Sequence, residues 1–206
     1  RDFNFLNLKK GEREKALDFV RNEINDKCGS CSEIWLWDPF LDYKDILDTL
    51  YYANNSDVKL KCIASYPKSK KKINEYDTKK LFKLFIKSLF FKNKNKRSYK
   101  KYKNEKKQGL LNNSNNLSVN LDFRAVHDNF GFDFHDRFLF FIPKDTEILP
   151  TVFSLGTSVS GFGNSHHLIQ QTLDPRNIIE TFNELWNLLE NDESTIIKLP
   201  EALRER

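Results

Sequence analysis

The period of the apolar positions changes several times along the chain, and each change marks an element. Leu17, Val20 and Ile24 recur at helical spacing and predict an amphipathic helix over residues 11–26. From Glu33 to Phe40 the chain reads EIWLWDPF, a short aromatic-rich apolar run stopped by a proline, which predicts a buried strand. Residues 42–54 carry a helical pattern and Val58 to Ala64 a second strand. Strand, helix, strand is the order of a parallel βαβ unit. Further strands are predicted at Leu121–Val126, Phe134–Ile142 and Thr151–Thr157. A last helix opens at Asp174-Pro175, where Asp is a suitable N-cap and Pro suits the first turn. Ile178, Ile179, Phe182, Leu185, Trp186 and Leu189 form its apolar stripe. With no internal repeat, these elements predict a single α/β domain over residues 1–206, a mixed central sheet with helices on both faces.

A stretch between the second and third predicted strands breaks this pattern. Residues 68–107 hold sixteen Lys and one Arg against Glu75, Asp77 and Glu105, a local charge of +14. The chain as a whole carries +5, so the remainder is acidic. Leu81, Leu84, Phe85 and Leu89 keep helical spacing over Thr78–Phe91. The following KNKNKRSYKKYKNEKKQ has no apolar period and leads into NNSNN, which predicts a mobile basic insertion over 92–118. This block reads either as a solvated loop or as an electrostatic footprint for nucleic-acid phosphates. In the second case Lys96, Arg97, Lys100 and Lys101 are candidate phosphate contacts, and Tyr99 and Tyr102 are placed to stack on bases. Adsorption of the 78–91 stretch on an anionic membrane ranks lower, because its apolar stripe is needed against the sheet.

Composition narrows the class. Apolar residues make up 39%, with 18 Phe and 3 Trp, enough to build one substantial core. No window approaches the roughly 18 uninterrupted apolar residues of a membrane span, and the charged start does not fit a secretory signal. Three cysteines in such a chain point to a reducing, cytoplasmic setting. Cys28 and Cys31 have zinc-like spacing without a second ligand pair, so ordinary thiols and no metal are expected. The chain has no methionine, even at position 1, which raises the expectation of a domain excised from a larger protein.

Candidate chemistry gathers late in the sequence. On a strand over Phe134–Ile142, alternation puts His135 and Arg137 on one face, and Asp136 on the other with Phe134 and Phe138, where it needs a partner such as Arg124. Downstream, Phe153-Ser154-Leu155 runs into Gly156-Thr157-Ser158, then Gly161, Gly163 and Asn164. An imidazole can attack phosphorus or move a proton, a guanidinium can hold two non-bridging oxygens, and small residues let backbone N–H groups approach an anion. His127 is expected in a loop, and of the adjacent His166 and His167 at most one can face the same cleft.

Here the chain resembles the phospholipase D superfamily, whose signature is His-x-Lys, an Asp five residues after the Lys, and a Gly-Ser turn with an Asn. His135-Asp136-Arg137, Gly156-Thr157-Ser158 and Asn164 match that order, with Arg137 in place of the Lys and Ile142 in place of the Asp. Trp35 to Phe40 is similar to the family's opening strand ending in Asp-Pro, and the helix with Phe182 and Trp186 to its closing helix. The likeness spans roughly residues 30–190 and is interrupted by the basic block. It implies a phospholipase D-like fold, cofactor-free phosphodiester hydrolysis through a phosphohistidine on His135, assisted by Arg137, Ser158 and Asn164, with Gly156 and Thr157 holding the phosphate. It also implies a homodimer in which two histidines face each other. A nuclease is the favoured expectation. The alternative is a non-catalytic module that binds nucleic acid or supports assembly in a larger protein, by analogy one of bacterial defence. A lipid phosphodiesterase has little support in the sequence.

Overall fold

Strands β2 (Cys31–Trp37), β3 (Lys59–Ser65) and β4 (Asn120–Val126) run parallel at the heart of a mixed sheet. The coordinates are a computed structural model describing residues 5–66, 97–113, 119–128 and 130–200. Antiparallel strands β1 (Phe5–Leu8), β5 (Phe138–Pro143), β6 (Thr151–Ser154), β7 (His167–Gln171) and β8 (Thr195–Lys198) complete the order β1-β7-β6-β5-β2-β3-β4-β8 among the described residues. Helix α1 (Arg13–Lys27), α2 (Tyr43–Asp48) and α3 (97–113) lie on one face and α4 (Arg176–Leu188) on the other.

Alternation along β2 explains the two-sided burial. Ile34 and Leu36 point to the face shared with Leu17, Val20 and Ile24 of α1. Trp35 and Trp37 point to the other, where Phe182 of α4 stacks on Trp35 with centroids 4.4 Å apart. Both faces are covered, so the strand is apolar without interruption, as parallel strands generally are. Leu6 and Leu8 bring β1 onto the α1 side, paired with β7.

Several boundaries differ from the sequence reading. The predicted strand at 134–142 begins at Phe138, because its ladder partners run out there: Phe138 pairs with Trp37 and with Ser154, the last residues of β2 and β6. Asp38-Pro39 turns β2 away, and Gly156 turns the chain after β6 at φ +68°. His135 and Arg137 therefore lie in an unpaired segment before β5, not on its face. Asp136 is exposed there, while Arg124 is satisfied by Asp122 (2.8 Å) and by the carbonyl of Trp186 (2.9 Å). The helix at 42–54 divides into α2 and a 3-10 turn, Leu50–Tyr52. Strands β1, β7 and β8 are additions to the reading.

The expected loop over 92–118 is corrected between 97 and 113, which is helix. Tyr99, Tyr102, Lys106 and Leu110 are its inner face. The Tyr99 hydroxyl donates to the carbonyl of Glu193 (3.0 Å), and Lys106 donates to Asp42, the N-cap of α2 (2.8 Å). Gly109 sits against Tyr43 so closely that a Cβ would fall 2.5 Å from its ring. The tyrosines expected to stack on bases are thus structural in part. Tyr99 is buried against His127 at 3.9 Å, and His127 is itself buried rather than in an open loop. Lys96 and the helix read at 78–91 lie outside the described residues.

Candidate functional site

His135, Arg137 and the Gly156–Ser158 turn collect around one end of the sheet, beyond the carboxyl ends of β2, β3 and β4. That end is where open parallel sheets present their loops and bind ligands. Trp37 leads there into Asp38-Pro39-Phe40, Ser65 into Tyr66, and Ser154 into the Gly156–Ser158 turn, while His135 and Arg137 enter β5 from the same side.

Asp38 is the hub, and the sequence reading did not name it as a site residue. It is fully buried. Its Oδ1 accepts from the backbone N–H of Phe40 (2.9 Å) and its Oδ2 from that of Val159 (2.9 Å). Burial pushes its carboxyl above the ordinary range, while the two N–H donors and the nearby Arg137 guanidinium pull it back. One carboxylate thereby ties the end of β2 to the turn after β6 and stands beside Arg137. The signal in the sequence was an Asp closing a fully apolar strand, a position that needs partners.

Arg137 is half-buried. Its carbonyl accepts from Leu155 N–H (3.0 Å) and its guanidinium carbon lies 5.5 Å from the Phe40 ring centroid. Its buried Nε has no hydrogen-bond partner. The 156–164 turn is built by local bonds: Ser158 is buried with its hydroxyl 3.1 Å from that of Ser160, and the Thr157 and Ser158 hydroxyls both crowd Gly161. Arg13 of α1 braces the turn from below, donating to the Val159 carbonyl (3.1 Å). Asn164 is exposed; its N–H donates to the Gly161 carbonyl (3.1 Å), and the carbonyl of neighbouring Gly163 accepts from Gly11 N–H (2.8 Å).

His135 is exposed and lines a cleft of about 450 Å³ with Pro39, Phe40, Tyr66, Tyr102, Lys106 and Phe134. Arg137 thus meets the chain before the Gly156–Ser158 turn through its backbone carbonyl and places its guanidinium over Phe40, on the cleft wall that His135 also lines. Phe40 connects the two. Tyr102 and Lys106 of α3 were missed as lining residues. Their signal was the Tyr99, Tyr102, Lys106, Leu110 spacing of one helix face, obscured by a lysine where an apolar residue is expected. Arg97, Lys100 and Lys101 of the same helix are exposed, Lys101 beside Glu105 at 3.6 Å.

Other sequence candidates lie elsewhere. His167 is buried and stacks on Phe162, while His166 is exposed and bonds Asn7. Cys28, Cys31 and Cys62 are buried free thiols. Among the described residues no helix is long and apolar enough to cross a membrane.

No family model matches this sequence, and no curated protein matches it. Among solved structures, the fold is similar to that of NucT from Helicobacter pylori at TM-score 0.48 and 12% identity, covering 94% of this chain and 98% of that one. It is also similar to polyphosphate kinase from Porphyromonas gingivalis (TM-score 0.45, 14% identity, 100% of this chain and 28% of that one). A third is TrmBL2, an archaeal chromatin protein described as showing a novel mode of DNA binding (TM-score 0.35, 16% identity, 90% of this chain and 53% of that one).

Proposed function

We propose that this chain handles phosphodiesters of nucleic acid at the carboxyl end of its parallel strands, as a phospholipase D-like hydrolase with His135 as nucleophile. The observation that carries the reading is Asp38. By holding Val159 N–H it fixes the small-residue turn at the sheet end where the exposed imidazole of His135 and the guanidinium of Arg137 also lie. In this reaction a ring nitrogen of His135 attacks phosphorus, the P–O bond to the leaving alcohol breaks, and water then hydrolyses the phosphohistidine. Arg137 balances charge on the non-bridging oxygens, with Thr157, Ser158 and Asn164 as further contacts on the turn. The leaving alkoxide needs an acid. Among the described residues His135 is the one histidine on the cleft, so the reading calls for a homodimer in which a second copy supplies the proton. A cytoplasmic setting fits the buried thiols.

The test is cleavage of labelled DNA and RNA in EDTA by the wild type and by His135→Ala, with acid-labile, alkali-stable phosphoryl transfer to the wild type. Cleavage that survives the substitution refutes this mechanism.

A second reading is a binding module without turnover, favoured by Ile142. The position at which the resemblance calls for Asp carries this half-buried residue, packed with the α4-side cluster near the far end of β5. That reading expects salt-dependent nucleic-acid binding unchanged by His135→Ala and no cleavage.

A further inference from the structure

The cleft beside His135 has a character that phosphate chemistry does not explain. Its walls are mostly rings. Phe40 is 59% exposed although it lies in the turn that closes the central strand. Tyr66 meets Tyr102 edge to face at 5.1 Å, and Phe134 forms the floor against Trp37 at 5.1 Å. A single exposed ring is ordinary on a protein surface; here it stands on a cleft whose other walls are also rings, which together offer an apolar face that a planar occupant would cover. Two cations sit on the faces of these rings: the Arg137 guanidinium at 5.5 Å from Phe40 and the Lys106 ammonium at 4.6 Å from Tyr102. Lys106 is neutralised by Asp42, whereas Arg97, Lys100 and Lys101 extend outward from the same helix. An apolar, aromatic slot with one wall on a helix that also carries exposed positive charge is complementary to a flat heteroaromatic ring carried on a polyanion. Its volume of about 450 Å³ falls within the range of sites for small organic ligands.

We propose that this cleft is a base-binding subsite, in which an unpaired nucleobase stacks on Phe40 beside the wall formed by the packed rings of Tyr66 and Tyr102 while its strand passes along Arg97, Lys100 and Lys101. This rests on the reading of the site as a place for nucleic acid and names the substrate class as single-stranded. A base inside a duplex has both faces covered by its neighbours and its edge paired, so it stacks on a ring inside the cleft only after leaving the duplex stack. The subsite sets which nucleotide's phosphate lies beside His135, because base and phosphate of one nucleotide move together.

The experiment uses the full chain carrying His135→Ala to prevent cleavage, and fluorescence anisotropy with three probes: a short oligothymidylate, an abasic oligomer of equal length, and the oligothymidylate annealed to its complement. The oligothymidylate is expected to bind roughly tenfold more tightly than either of the others, since stacking one base on one ring is worth about that much. Phe40→Ala should remove most of this advantage and leave abasic binding unchanged. Phe40→Leu keeps apolar bulk without a π face and should behave as Phe40→Ala, which guards against a folding defect. Equal affinity for oligothymidylate and abasic oligomer overturns the proposal, as does an equal effect of Phe40→Ala on both. Cleavage by the wild-type chain separates the two ideas. Base discrimination without cleavage leaves the subsite standing and removes the hydrolase; equal binding and equal cleavage of abasic and thymidylate strands does the reverse.

Discussion

Asp45 gives the most direct test of the electrostatics under the site. It is the N3 residue of α2, 3% exposed, and its Oδ2 accepts from the backbone N–H of Asp42 (2.9 Å) in a capping box. Burial is the main cause that raises its carboxyl from 3.8 to about 6; the Asp42 N–H works against the rise, and the carboxylates of Asp38 and Asp42 add to it. A carboxyl whose folded value lies above its unfolded value stays protonated in the native state where the unfolded chain has already released its proton. Stability therefore falls as pH rises from the unfolded value through about 6, and the full penalty holds above that. At about 1.36 kcal/mol per pH unit the gap amounts to about 3 kcal/mol. Asp45→Asn keeps a carbonyl oxygen for the Asp42 N–H and cannot ionise. Urea unfolding of both chains, followed by the fluorescence of the buried Trp35, Trp37 and Trp186, should show the variant gaining about 3 kcal/mol on the wild type between about pH 4 and about pH 7. Taking the difference cancels the other carboxyl groups to the extent that they titrate alike in both. A difference that stays flat across this range would refute the burial argument and leave Asp45 an ordinary capping residue.

Phe182→Ala should cost about 3–5 kcal/mol in the same unfolding assay, because the ring is fully buried between Trp35, Trp37, Phe140 and Trp186; a loss below about 1 kcal/mol would mean that α4 is not seated as described. Gly156→Ala combines a left-handed backbone with a Cβ 2.5 Å from the Leu168 carbonyl, whereas Gly11→Ala meets nothing within 4 Å at φ +93°. The first should therefore lose roughly 3 kcal/mol and the second about 1 kcal/mol, and equal losses would show that the turn yields. Neutralising Arg97, Lys100 and Lys101 to Gln should leave stability unchanged, since all three are exposed. It should also lower the slope of log affinity against log salt on single strands by about 2 in total; an unaltered slope would remove α3 from the nucleic-acid path.

How much of this was visible beforehand depends on where the deciding partner lies. The helices at 13–27 and 176–188 and strands β3 and β4 could be read within a residue or two, because each is fixed by a local apolar pattern; β2, read as Glu33 to Phe40, ends three residues earlier. The α/β class with helices on both faces followed from their order and from the uninterrupted burial of Ile34 to Trp37. The sequence also told that an imidazole, a guanidinium and a small-residue turn exist, and that a basic block interrupts the sheet. It could not tell where the strand after His135 begins, because that is set by the last residues of β2 and β6, which end the ladder from across the sheet. Nor could it tell that 97–113 is a helix. Lys106 spoils the apolar stripe until Asp42, far away in sequence, neutralises it, and Tyr99 and Tyr102 look like free aromatic groups until His127 and Tyr66 pack on them. The partners of the buried Asp38 likewise came only with the fold, which brought the backbone N–H of Val159, far away in sequence, to its carboxylate. Local pattern determines elements, since its causes lie within a few residues; burial of charge and the geometry of the cleft depend on partners that only the folded chain brings together.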